Sequence, residues 1–435
     1  MSAILSISFV SIIKGFVGIA VLIGLGWLFS ESRKKISWPL VAKGLLIQII
    51  FAIGVLKVPF VEHFFEWMSR AFVKVISFTN YGTEFLFSSY VDGKINPALL
   101  NFAFNVLPTI IFFSALSSLL YYLGVLQKIV YGFAWVMKRV MKLSGAESLA
   151  AAGNMFLGQT EAPLLVRPYL MQMTRSEMNA LMTGGMATIA GGVLASYIGF
   201  LGGDDPAQKI MFAKHLLAAS IMSAPAALVA AKMLVPETQS FDNTMHLSHN
   251  KVGTNILEAI ANGTTDGLKL AVNVAAMLLV FTAFIYFGNY IFEQLGALTG
   301  LNSWIAANTN YDTFSFQFVI GYMFAPIAYL LGVPSADVVL VGQLLGEKTI
   351  LNEFYAYVTL GDLKASGAFS SEKSIIMATY ILCGFSNFAS IGIQIGGIGA
   401  LVPERKGQLA QLGVRALIGG TLACLFTAVI VGMMI

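Results

Sequence analysis

Charged side chains are scarce in this chain: of 435 residues only 11% are Asp, Glu, Lys or Arg, while 57% are hydrophobic. A soluble domain averages about 25% charged residues, so this complement is too small to cover a water-soluble fold of such length. Cysteine is almost absent. Cys383 and Cys424 are the only two, each inside an apolar run, which excludes a disulfide framework and any metal-type thiolate spacing. The four histidines, His63, His215, His246 and His249, form no HExxH or comparable ligand pattern. His246 and His249 read as part of a solvated polar loop. Basic residues outnumber acidic ones only 26 to 22, too little for a nucleic-acid-binding field. No short apolar stretch with a cleavage site opens the chain, and its first apolar run continues to Phe29. That reads as a retained span rather than a signal peptide.

What is abundant fits the same class. The 42 Gly and 33 Phe suit a polytopic membrane protein whose helices pack through small residues. A spanning helix needs about 20 predominantly apolar residues. Such runs occupy 9–29, 40–56, 99–126 (with a bend expected at Pro108), 178–200, 210–234, 268–292, 375–401 and 409–434. Basic clusters at Arg33–Lys35, at Lys138, Arg139 and Lys142, and at Arg405 and Lys406 are cytoplasmic by the positive-inside rule. Both termini then lie outside, with Asp204 and Asp205 in an outside loop. From Val61 to Phe78 apolar residues follow helical spacing, with Glu62, Glu66, Arg70 and Lys74 on the other side. That predicts an amphipathic helix lying along the bilayer surface or bracing a partner subunit, and a surface helix is expected over 256–267.

Two stretches are apolar yet broken by polar residues, with halves too short to span. The first, 145–173, contains Gly158-Gln159-Thr160-Glu161-Ala162-Pro163; the second, 314–357, contains Leu351-Asn352-Glu353-Phe354. Each predicts a re-entrant hairpin with its tip inside the bilayer. A broken span follows each: 178–200, interrupted near Gly184 to Thr188 and Gly191-Gly192, and 375–401, interrupted at Gly384 to Ser390. Gly185-Met186-Ala187-Thr188-Ile189-Ala190 can be laid against Gly384-Phe385-Ser386-Asn387-Phe388-Ala389, and the two broken spans run in opposite directions. The chain therefore divides into 1–144, the N-terminal spans and amphipathic helix; a first repeat, 145–235; a connecting part, 236–313; and a second repeat, 314–435. The expected fold is all-α, with about eight transmembrane helices, two re-entrant hairpins and an inverted repeat containing two broken helices. Such repeats point to a secondary transporter with its site near the midplane.

An ionisable group at membrane depth costs at least about 2.5–3.5 kcal/mol, so it is a functional candidate. Glu161 and Glu353 are the clearest. The alternative for Glu161 is an N-cap of the second hairpin arm; for Glu353 it is an ion pair with Lys348. Asn154 and Thr188 admit two readings: with the carbonyls of Leu157 and Ile189 they surround Na⁺, or they make ordinary interhelical hydrogen bonds. Asn387 and Ser390 suit hydroxyl groups and Phe385 suits a flat heterocycle, core packing being the alternative for Phe385. Gly392, Gly396, Gly397 and Gly399 read as helix packing. A membrane enzyme using the two glutamates as acid and base lacks a nucleophile or metal motif, and a channel does not need paired broken helices.

The strings Gly153 to Pro163, Asn352-Glu353-Phe354 and Gly384 to Ser390 resemble the concentrative nucleoside transporter family, over nearly the whole chain and in the same order. The resemblance implies symport of nucleosides such as uridine, cytidine or adenosine with Na⁺, a proton-coupled symporter being the alternative. It further implies no other cofactor, a homotrimer in the inner membrane, and an elevator-like transport part. Carried over by position, Gln159, Thr160 and Glu161 look like nucleobase contacts, with Val193 and Phe385 packing on the base. Glu353, Asn387 and Ser390 look like ribose contacts, and Asn154, Thr188 and the carbonyls of Leu157 and Ile189 like the Na⁺ site. Thr188 stands where sodium-coupled members are expected to have Ser, and it keeps the hydroxyl.

Overall fold

The structure is a computed structural model describing residues 9–89, 95–96, 101–203, 205–242, 244–245 and 253–435. Asp204, His246, His249 and the expected beginning of the third span lie outside the described residues. Within them, regular structure is helical apart from one isolated bridge, Ser88 to Ile95.

The chain opens with two apolar helices, α1 (Phe9–Leu28) and α2 (Trp38–Lys57), then the long α3 (Pro59–Phe87). Helix α3 continues nine residues beyond the expected amphipathic segment. Its Glu62 pairs with Lys214 at 3.0 Å and its Glu66 with Arg70 at 2.5 Å. The third span is divided into α4 (Phe102–Asn105) and α5 (Leu107–Tyr122), with Pro108 in the first turn of α5, where a missing N–H costs nothing. Next comes α6 (Val125–Met141), a helix the sequence reading did not contain. It buries Leu126, Val130, Ala134, Met137 and Met141 at helical spacing, and its three basic residues diluted that signal.

The first repeat consists of α7 (Gly145–Asn154), a turn, α8 (Ala162–Leu165), α9 (Arg175–Ala187), α10 (Gly191–Gly202) and α11 (Pro206–Leu234). Helix α9 starts earlier than expected because Thr174 and Glu177 form a capping box. The connecting part corrects the expectation of a surface helix followed by a separate span. It is one helix, α12 (Ile256–Thr299), of 44 residues, about 66 Å long at 1.5 Å per residue. A short α13 (Leu301–Asn308) follows.

In the second half, α14 (Phe316–Leu330) is followed by α15 (Val338–Ile350), α16 (Glu353–Ala365), α17 (Glu372–Leu382), α18 (Phe388–Leu401) and α19 (Lys406–Gly432). The hairpin around Asn352 therefore has α15 and α16 as its arms and reaches Ala365, not Tyr357. Helix α14 is a separate element, cut off where Gly332 takes φ +85° ahead of Pro334. The run is apolar throughout, so composition could not place that boundary. The order hairpin, broken helix, long helix thus occurs twice.

Seven described helical segments are long and apolar enough to cross a membrane, and α17 with α18 supplies an interrupted one. The two long helices that close the repeats, α11 and α19, pack on each other and on α9. Burial separates inner from outer helices: 89% of the most apolar window of α11 is buried against 17% in α12. Helix α12 lies on α5, where Gly263 and Gly267 let the backbones approach; a Cβ on either would come within 2.8 Å of Ser114, Ala115, Ile111 or Ser118. Lipid offers no hydrophobic drive between helices, so such close packing supplies the association.

One buried network ties the first repeat together. Lys232 of α11 pairs with Glu147 of α7 and, at 3.3 Å, with Glu237, and donates to Ser176 Oγ of α9 at 2.9 Å. Outside it, Glu31 in the α1–α2 turn binds Arg175 at 2.8 Å and Arg415 at 3.3 Å; the Arg175 hydrogen bond holds the Glu31 carboxyl below its usual range. Lys232→Met leaves Glu147 buried without its cation, a loss of about 3–5 kcal/mol. The detergent-solubilised variant is expected to melt well below the parent, and an unchanged melting temperature would remove this network from the stability of the fold.

Candidate functional site

The two broken helices meet at their breaks. Helix α9 ends at Ala187, and Thr188 to Ala190 are extended before α10 begins. Helix α17 ends at Leu382, and α18 resumes after Asn387. Gly384 sits at φ +146°, and a Cβ there would lie 2.8 Å from the carbonyl oxygens of both Met186 and Ala187. Gly420 of α19 closes the crossing: its Cβ position is 2.8 Å from Met186 Cβ and 3.2 Å from Ser386 Cβ. Only glycine fits the first of these two positions on both counts, conformation and space.

Side chains from both hairpins converge there in one hydrogen-bond chain. Asn387 Nδ2 donates to Glu353 Oε2 at 2.7 Å, while Asn387 Oδ1 caps α18 by accepting from Ser390 N at 2.9 Å. Gln159 Nε2 donates to Ser390 Oγ at 3.3 Å, and Gln159 Oε1 accepts from Gln394 Nε2 at 3.2 Å. Gln394 also donates to the Met182 carbonyl at 2.9 Å. The chain thus links hairpin α15–α16, helix α18, the first hairpin turn and helix α9. Gln394, wholly buried, is a member the sequence reading missed, because it lies among glycines read as packing. Of those glycines, two face close neighbours, a Cβ on Gly397 lying 3.1 Å from Thr160 Cγ2 and one on Gly399 2.7 Å from Lys406 Cγ, while a Cβ on Gly392 or Gly396 meets nothing within 4 Å.

Glu161 and Thr160 are exposed at the first hairpin tip. Glu161 makes no cap bond to the second arm; its Oε2 instead accepts from Gly158 N at 2.5 Å, folding the turn on itself. Glu353 is buried and does not pair with Lys348, whose ammonium points elsewhere. Val193 is buried near the start of α10, and Phe385 is buried within the second break. Tyr197, not foreseen, stacks on Tyr357 with ring centres 4.0 Å apart and meets Phe354 edge-on at 5.3 Å, walling the Glu353 side.

Asn154 ends α7 fully buried, with neither amide atom hydrogen-bonded. Its Nδ2 lies 2.7 Å from where a Gly184 Cβ would stand, and Thr188 Oγ1 donates to the Gly184 carbonyl at 2.8 Å. Asn154 and Thr188 therefore flank the same turn, and the Thr188 oxygen keeps its lone pairs. Leu157 and Ile189 are buried beside them in the hairpin turn and the break. Buried polar groups are rarely left unpaired, and an orphan amide beside extended backbone suits a hard cation held by neutral oxygens. Among the described residues no cluster of His, Cys, Asp and Glu could hold a metal ion.

Comparisons with known proteins converge. Family models described as "Na+ dependent nucleoside transporter C-terminus", "Na+ dependent nucleoside transporter N-terminus" and "Nucleoside recognition" match residues 215–432, 17–90 and 103–204. An uncharacterized transporter of Haemophilus influenzae is 40% identical over 429 residues, covering 98% of each chain. Sodium/nucleoside cotransporter 1 of Rattus norvegicus is 38% identical over 96% of this chain and 63% of its own length. The chain thus spans under two thirds of that mammalian relative. The solved structure of CNTnw in an inward-facing substrate-bound state superposes with a TM-score of 0.86 at 36% identity, covering 97% of this chain and 98% of that one. A CNTnw variant in an outward-facing state gives 0.88, also at 36% identity, covering 98% of both.

The crossing of the breaks carries a test. Gly384→Ala adds a Cβ against two carbonyls at a φ that L residues avoid, a strain of about 1–3 kcal/mol before any clash. The variant is expected to lose both melting temperature and nucleoside uptake. Uptake at the parent's rate would mean that the two breaks need not touch.

Proposed function

Because this chain belongs to the concentrative nucleoside transporter family, we propose that it imports nucleosides by symport with Na⁺. In this reading Glu353, Asn387 and Ser390 hold the ribose. Gln159, Thr160 and Glu161 meet the nucleobase, which packs on Val193 and Phe385. Asn154, Thr188 and the carbonyls of Leu157 and Ile189 hold the ion. The observation that carries it is the hydrogen-bond chain from Glu353 through Asn387, Ser390 and Gln159 to Gln394. A nucleoside that engages Glu353 at one end and Gln159 at the other joins both hairpins, while the orphan Asn154 amide stands at the adjacent break.

The relatives are transporters, not enzymes. The protein is a multi-pass membrane protein. We place it in the inner membrane as a homotrimer with both termini extracytoplasmic, so that Arg33 to Lys35 and Arg405-Lys406 face the cytoplasm. Alternating access comes from elevator-like displacement of the two repeats against α1, α2, α5 and α12. The existence of inward-facing, intermediate and outward-facing structures of CNTnw supports a moving unit of this kind.

Proteoliposomes without internal Na⁺ are expected to accumulate uridine when an inward Na⁺ gradient is imposed. Uptake indifferent to Na⁺ and driven by a proton gradient would contradict the sodium reading and favour the proton-coupled one. Glu353→Gln replaces a charged acceptor for ribose hydroxyls, a loss of about 1.5–3 kcal/mol, and so weakens uridine binding about 10- to 100-fold. Undiminished uridine affinity in that variant would refute the ribose assignment. Asn154→Leu is expected to abolish the Na⁺ response while leaving the fold intact, and retained sodium stimulation would move the ion elsewhere.

A further inference from the structure

Each repeat places the end of its first hairpin arm at the C-terminal end of the first half of its broken helix. Such helix ends carry about half a negative charge and orphan carbonyls. In the first repeat the residue presented is Asn154, neutral and unpartnered. In the second repeat it is Lys348, in the last turn of α15 and wholly buried. Its ammonium donates to the Ile381 carbonyl at 2.8 Å and to Cys424 Sγ at 3.3 Å. Cys424 in turn donates to the Cys383 carbonyl at 3.0 Å. Ile381 lies in the last turn of α17 and Cys383 caps it, so Lys348 and Cys424 together take two of the carbonyls at the second break.

Lys348 has no carboxylate partner among the described ion pairs. Glu353 bonds Asn387, and Glu347 accepts from Gln343 at 2.9 Å. Lys348 lies within Coulombic reach of Glu353 but forms no direct ion pair with it. A buried ammonium without a hydrogen-bonded counter-ion is expensive, and an apolar side chain of similar length would fill the space at less cost. What the ammonium gains here is the field of the helix end and two acceptors. We propose that Lys348 is a tethered cation. It holds at the second break the position that the first break offers to the coupling ion, so the molecule has a single site for a mobile cation. The inference rests on the sodium reading above and extends it: Lys348 is a positioning residue that keeps the second break, with Phe385 and Asn387, in its binding geometry.

Flux measurements on full-length wild-type protein in proteoliposomes give the first arm of the test. Radiolabelled Na⁺ and uridine are expected to enter in equal molar amounts. Twice as much Na⁺ as uridine overturns the proposal, because a second ion needs the carbonyls that Lys348 holds. Nucleoside entry without any Na⁺ contradicts the symport reading instead, and leaves the decision on Lys348 to the second arm. There, Lys348→Ala is expected to lower uridine uptake at least about tenfold, and methylammonium restores it several-fold while raising the variant's melting temperature in detergent. Lys348→Met, of similar length and uncharged, stays low and does not respond. Transport by Lys348→Met at the wild-type rate overturns the proposal, as does a Lys348→Ala protein whose uptake and melting temperature ignore methylammonium.

Discussion

A helix that stops inside a membrane leaves amides and carbonyls where no water reaches them, each costing several kcal/mol if unpaired. This chain stops two helices at one place, and the arrangement of its centre follows from how those groups are answered. At the second break Asn387 caps α18 while Lys348 and Cys424 take carbonyls of the preceding half. At the first, Thr188 takes the Gly184 carbonyl, and the Met186 and Ala187 carbonyls face Gly384. The two breaks touch because Gly384 in the second break and Gly420 of α19, which faces both, lack the side chains that would hold them apart.

In the proposed reading, that contact is what would let ion and nucleoside communicate. Glu353 and Gln159 come from different hairpins, 194 positions apart in sequence, yet three hydrogen bonds through two intermediaries, Asn387 and Ser390, connect them. A cation at the proposed Asn154 and Thr188 site would order the turn from which Gln159 projects, and so set the proposed nucleobase end. The proposed ribose end would be set by Asn387, which also caps α18. Binding of either ligand would then restrain backbone that the other also uses, which is the physical content of coupling between sites.

Much of this was legible in the sequence. Low charge identified the solvent, and polar interruptions in apolar runs located the hairpin tips and the breaks. Glu161 and Glu353 stood out because intramembrane carboxylates are costly. Helix α6 did not stand out, because its buried stripe is interleaved with basic residues. The boundary between α14 and α15 is hidden inside continuous apolarity and visible only through the turn at Gly332. Gln394 and the role of Lys348 were missed for a geometric reason. Both are polar residues in apolar helices whose partners lie on other elements, and spacing along one helix says nothing about direction between helices. Lys348 stands five residues before Glu353, but α15 ends between them, and the two form no direct ion pair: Lys348 bonds Ile381 and Cys424 while Glu353 bonds Asn387.

If cation and nucleoside share one polar centre, their affinities are linked, and equilibrium binding to the purified protein measures this without any membrane gradient. Saturating Na⁺ should tighten uridine binding, and saturating uridine should tighten Na⁺ binding by the same factor, about 5- to 150-fold. Uridine affinity that is the same with and without Na⁺ would contradict the placement of both ligands at the meeting of the two broken helices.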